Sequence, residues 1–183
     1  MTRMNRTKPT SNFGERGAAM IEVLITMLVI AFGSLGFVAL QSQTALSQVE
    51  GYQRSQALIL LNDISERIAL NRASAANYVG TDIGITDPGS CTALTTQTAK
   101  DICEWSLLIQ GAAEVNGTAK LGAMIGARGC ITVTAANEYL ISIAWQGVRA
   151  SGAPANTCGQ NQYSSENTRR TVTTVLRIAT LAT

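Results

Sequence analysis

The sequence predicts an α+β protein in which one long N-terminal helix is laid across a small antiparallel β-sheet. Three observations predict it. An apolar run covers Ala18 to Leu40, apolar residues then recur at three- and four-residue steps as far as Ile68, and the last third holds short β-branched stretches of alternating polarity. A helix with one apolar stripe and a sheet with one apolar face can bury those surfaces against each other.

A length of 183 residues fits one domain, or one domain plus an appendage. Hydrophobic residues make up 46% and charged residues 14%. Charge is low for that apolar content, which places some apolar sequence outside a water-soluble core. The formal net charge of +2 is too small to argue for nucleic acid. Residues 1–17 carry Arg3, Arg6, Lys8 and Arg16 against Glu15, so the basic balance belongs to this leader. The absence of histidine removes the commonest general base and metal ligand. With no nucleophile motif and no Gly-rich phosphate loop, no enzyme, cofactor or metal is expected.

Residues 1–17 are polar and basic, with Pro9, Thr10, Ser11 and Asn12 as marks of disorder. From Ala18 to Val49 the only charge is Glu22. About 20 helical residues span a bilayer core, so this stretch is long enough. The preceding basic residues would hold its N-terminus on the cytoplasmic side. A secretory signal peptide places its small-residue cleavage site after the apolar run, but here that run ends in Gln41-Ser42-Gln43-Thr44, without such a site. A plain membrane anchor has no use for Glu22. A carboxylate within an apolar helix costs several kcal/mol unless paired, so it is a functional candidate by default.

Leu46, Val49, Ala57, Leu61, Ile64 and Ile68 continue the helical period, with Gln53, Arg54, Asn62, Asp63, Glu66 and Arg67 between them. No proline lies between Pro9 and Pro88, so residues 18–72 predict one helix of roughly 80 Å. It divides into an apolar assembly half (18–45) and an amphipathic half (46–72), with a globular head over 73–183. Gly33 and Gly36 fit either close helix contact or a locally melted turn. Residues 73–100 read as loop, with a turn at Asp87-Pro88-Gly89. A short helix is expected from Lys100 to Val115. A hairpin follows, with strands Cys130–Thr134 and Tyr139–Trp145, and Thr171–Ile178 supplies a third strand.

Cys91, Cys103, Cys130 and Cys158 form no Cys-x-x-Cys pair. Downstream of a membrane segment, an even count favours two disulfides in an oxidising compartment. Three connectivities are possible; Cys91–Cys103 with Cys130–Cys158 closes the shortest loops, and the second bond would staple the 147–167 loop to the sheet.

Arg16-Gly17-Ala18-Ala19-Met20-Ile21-Glu22, followed by an apolar run, resembles the class III signal of type IV prepilins. The resemblance implies cleavage between Gly17 and Ala18 by the prepilin peptidase, N-methylation of Ala18, and pairing of Glu22 with the new N-terminal ammonium of a neighbouring subunit. Alanine at 18 and 19 departs from the usual bulky apolar residue and Thr or Ser. It also implies the pilin fold, an inner-membrane stage with the head in the periplasm, and then a surface pilus. Partners would be other pilins through the long helix and an inner-membrane assembly platform. A short Trp-containing helix, Ala144–Gly147, the cysteine loop and the Arg169-Arg170 strand resemble minor pilins of the PilV type, which implies priming of assembly and display of a tip adhesin. Minor pseudopilins of type II secretion carry the same N-terminal signal, and a single-pass periplasmic protein is the alternative of another class.

Simpler roles are expected for the remaining candidates. Trp105 and Trp145 read as core before interface. Arg169-Arg170 reads as a solvated edge that blunts β-pairing, with no DNA contact. Asp82 and Asp87 lack a calcium-loop pattern and read as loop solvation.

Overall fold

The computed structural model describes residues 15–117, 119–120, 122 and 124–179. Residues 1–14, most of the expected leader, lie outside the described residues. The chain divides into two compact units, Met1–Leu46 and Ser47–Thr183, and helix α1 (Glu15–Leu70) supplies backbone to both.

In the first unit every side chain from Ala19 to Ala45 is exposed, and α1 runs unbroken through Gly33 and Gly36. It is long and apolar enough to cross a membrane.

In the second unit, α1 buries Gln53, Ala57, Leu60, Leu61, Ile64 and Ile68. These recur at three- and four-residue steps, as one packed face requires. Two assignments of the period are corrected: Val49 is 45% exposed, whereas Gln53, expected on the polar side, is 5% exposed. Gln53 lies four residues before Ala57 on the packed face, and helix geometry overrides its polarity.

A 3-10 turn at Arg72–Tyr78 leads to β1 (Gly80–Ile83). Helix α2 spans Gln97–Ile109, with the Thr96 side chain accepting the Ala99 N–H as its N-cap. It is shorter than the expected Lys100–Val115 because the chain turns at Gly111, where φ is +77°, a conformation glycine adopts without strain. A two-stranded ribbon of β2 (Val115–Asn116) and β3 (Ala119–Lys120) follows.

The main sheet is antiparallel with order β1-β4-β5-β6, where β4 is Arg128–Ala135, β5 Glu138–Gln146 and β6 Arg169–Arg177. Residues 73–100 therefore contain a strand where only loop was expected. β1 is too short and too rich in Gly and Asp to display a period, and its pairing is supplied by β4, with Gly80 opposite Ile131 and Ile83 opposite Gly129.

One face of the sheet carries Ile131, Tyr139, Ile141, Ile143 and Trp145 into a core shared with α1 and α2. Trp105 from α2 is fully buried there and its indole N–H donates to Leu60 O at 2.9 Å. Gly129 makes this possible: a Cβ at that position would collide with the Trp105 ring. The opposite face carries a smaller cluster of Cys130, Ala144 and Cys158, with Tyr163 against it. The result is an α+β, pilin-like fold.

Candidate functional site

The N-terminal segment carries the chemistry the sequence singled out. Gly17 and Ala18 lie in the first turn of α1, and Glu22 one turn further on. Between Ala19 and Leu40 the hydroxyl groups satisfy themselves locally. Thr26 Oγ1 donates to Val23 O at 2.9 Å, and Ser34 Oγ donates to Ile30 O and Ala31 O, each at 2.9 Å. Glu22 has no such recourse. Its carboxylate only accepts, the amides around it serve the helix, and it has no partner among the described residues. It is surrounded by exposed Met20, Ile21, Val23, Leu24 and Ile25.

In the head, the bonds are Cys91–Cys103 and Cys130–Cys158, with Cα separations of 5.7 and 5.8 Å. The first ties the loop before α2 to that helix. The second ties β4 to the 147–167 connection and holds it over the outer face of the sheet.

Sequence reading missed the residue that organises this connection. Arg169, expected at a solvated edge, is 2% exposed. Its Nε donates to Glu166 Oε2 at 2.6 Å, Nη1 to Asn156 O and to Cys158 O (3.0 Å), and Nη2 to Pro154 O at 3.1 Å. A guanidinium is suited to this because its five donors form a rigid fork. The one available signal was the Glu166-Asn167-Thr168-Arg169 spacing, which places the carboxylate one 3-10 turn (Glu166–Thr168) before the arginine. Asn156 adds a second clamp: its Nδ2 donates to Ser142 Oγ at 3.0 Å and its Oδ1 accepts the Cys158 N–H at 2.8 Å. The Asn161 N–H, with Arg169 beside it, holds the Glu166 carboxyl below the usual carboxylate range.

Asp82 and Asp87 are ion-paired rather than merely solvated. Arg128 Nη1 meets Asp82 Oδ1 at 2.9 Å, and Lys120 Nζ meets Asp87 Oδ2 at 3.1 Å. The Arg128 guanidinium also lies 5.3 Å from the Tyr163 ring centre. A partly buried network joins α1 to α2. Tyr78 Oη donates to Asp101, which also accepts from Arg67 Nη1 (3.3 Å) and Gln97 Nε2 (2.8 Å). Burial, reinforced by the hydrogen bond to Asp101, pushes the Tyr78 hydroxyl above its ordinary value. Among the described residues no group of three or more His, Cys, Asp or Glu could hold a metal ion.

Fold and segment together define a membrane-length apolar helix continued into a small disulfide-bonded head. Residues 39–107, from within α1 to near the end of α2, match a family model described as Tt1218-like, Type IV pilin Tt1218. This similarity supports a type IV pilin family, whose members are structural rather than enzymatic and assemble with other pilins. No curated protein and no solved structure matches the chain.

Proposed function

We propose that the chain is a minor pilin of a type IV pilus, of the PilV type. It is made as a precursor, cut between Gly17 and Ala18 and assembled through α1. Its cytoplasmic leader is removed at the inner membrane while the head lies in the periplasm, before the subunit enters the pilus. There it helps to prime assembly and to display a tip adhesin.

The observation that carries this reading is Glu22, a carboxylate without a partner among the described residues, in the stretch from Ala19 to Leu40 that is exposed, apolar and otherwise uncharged. Burying it alone is unfavourable, and so is burying the ammonium created at Ala18 by cleavage; each compensates the other when two subunits meet. The pair therefore selects register as well as association. The match to a type IV pilin family over residues 39–107 adds support from a region that does not include this motif.

N-terminal sequencing of the mature protein is the test. A mature chain beginning at Ala18 agrees with the proposal, whereas one beginning at Met1 or beyond Leu40 overturns it. The subtype is tested by deletion, scoring surface pili against exported enzymes. Loss of secretion with normal pili would instead assign the chain to a type II secretion pseudopilus.

A further inference from the structure

The two edges of the main sheet differ. β1 is four residues long, its register shifts between Gly80 and Ile83, and Asp82 within it has φ +57°; these features discourage further pairing. β6 has none of them. It runs nine residues in unbroken register with β5, and Thr171–Leu176 carries neither charge nor proline. The two arginines at its start do not guard it, because Arg169 is buried and Arg170 Nη2 donates back to Arg149 O at 2.6 Å.

The register shows which backbone groups are free. Gly147 N–H donates to Thr168 O at 2.8 Å and Ile178 N–H donates to Asn137 O at 2.9 Å. Both pairs continue the β5–β6 ladder, in which Ile143 faces Val172 and Ile141 faces Thr174. Hydrogen-bonded and non-bonded pairs alternate along an antiparallel ladder. Even-numbered residues of β6 therefore bond to β5, and Thr171, Thr173 and Val175 direct both N–H and C=O away from the sheet.

Beside this edge is a groove of about 330 Å³, lined by Glu50, Gly51 and Arg54 of α1, Trp145 of β5, and Arg170 and Val172 of β6. The Trp145 indole N–H is buried without a partner among the described residues. Glu50 is neutralised, with Arg170 Nη2 at 3.5 Å and the Arg149 N–H at 3.1 Å from its Oε1. Arg54 is exposed and has no ion-pair partner among the described residues, so the groove presents a net positive charge.

We propose that the β6 edge and this groove form a strand-addition site for an extended, acidic peptide segment of another protein. The segment pairs its backbone with Thr171, Thr173 and Val175. It lays one side chain in the groove beside Trp145 and places a carboxylate against Arg54. The site lies wholly within residues 47–183 and does not depend on cleavage, on Glu22 or on filament assembly.

The test uses the full chain in detergent micelles and three designed peptides of alternating threonine and valine that differ only in one terminal residue, which is acidic, neutral or basic. Residue-resolved amide exchange and binding by fluorescence anisotropy are measured. The acidic peptide is expected to slow exchange at Thr171, Thr173 and Val175 by about tenfold or more, with the amides of Val172 and Thr174 already slow without it. Thr173→Pro removes an outward N–H and leaves the β5 ladder intact; it should abolish binding. Arg54→Glu, on an exposed helix position, should shift the preference from the acidic to the basic peptide. Amides at the three odd positions that are slow in the free chain, no slowing by any peptide, or unchanged binding by both variants would each overturn the proposal. Slowing that grows with protein concentration in the absence of peptide would overturn it in favour of a second copy of this chain.

Discussion

Truncating Arg169 strips Glu166 and the carbonyls of Pro154, Asn156 and Cys158 of one shared donor. Buried acceptors left unpaired cost about 1–3 kcal/mol each, less where water reaches them. Arg169→Met should therefore lower stability by about 2–4 kcal/mol and speed amide exchange across 147–167, while Arg170→Ala does much less. Thermal melts with residue-resolved exchange check both. The same clamp responds to acid. The folded-state pKa of Glu166 lies below its unfolded value, so its contribution is present above the unfolded pKa and is lost as pH falls through the folded one. Protection factors within 147–167, taken relative to the intrinsic exchange rate at each pH, should fall as pH drops below about 4, where free glutamate protonates, and Glu166→Gln should flatten that dependence. Tyr78 has the opposite sign. Its raised pKa gives stability that is full below the unfolded tyrosine value of about 10 and is lost as pH rises through the folded one, which an alkaline melt series should reveal.

Elements differ in how plainly the residues announce them. The hairpin of β4 and β5, the strand β6 and the amphipathic part of α1 were legible because each is eight residues or longer and carries β-branched or apolar residues at regular steps. β1 and the β2–β3 ribbon were not, since two to four residues cannot display a period and are formed by what pairs with them. The site divides in the same way. Glu22 stands out against uncharged neighbours, whereas the role of Arg169 depends on carbonyls from residues 154–158 that only tertiary structure brings to it. The disulfides sit between these cases: their spacing suggested a pairing without excluding the other two. Loop-closure entropy ranks the two bonds. Sequence separations are 12 and 28 residues, so at 25 °C Cys130–Cys158 should stabilise by about 0.7 kcal/mol more than Cys91–Cys103. Urea unfolding of Cys91→Ser/Cys103→Ser and Cys130→Ser/Cys158→Ser chains measures this difference, and an equal loss from both pairs would contradict it.

At the scale of the molecule, one helix carries two kinds of surface, an exposed apolar stretch and a face packed in the head. Among the described residues every buried side chain of α1 lies at or beyond Gln53, and the apolar residues from Met20 to Leu40 are exposed. Exposed apolar surface of that extent marks a membrane or protein contact. Burying a Leu, Ile or Val side chain is worth about 1.5–3 kcal/mol, so a helix with many such residues leaves water wherever it can. Glu22 opposes that gain at a single position, which makes it the residue to vary. On the proposed processing and pairing, Glu22→Val should leave a protein that is still cut after Gly17 and still bound to membranes, since the carboxylate is assigned to neither step. It should enter filaments poorly, because a buried neighbouring ammonium then lacks its counter-charge. Gly17→Val should act one step earlier and accumulate the uncut precursor with its basic leader. Immunoblots of membrane and sheared-pilus fractions separate the outcomes. Normal filament entry by the Glu22 variant would remove the pairing role, and wild-type processing of the Gly17 variant would remove the cleavage site.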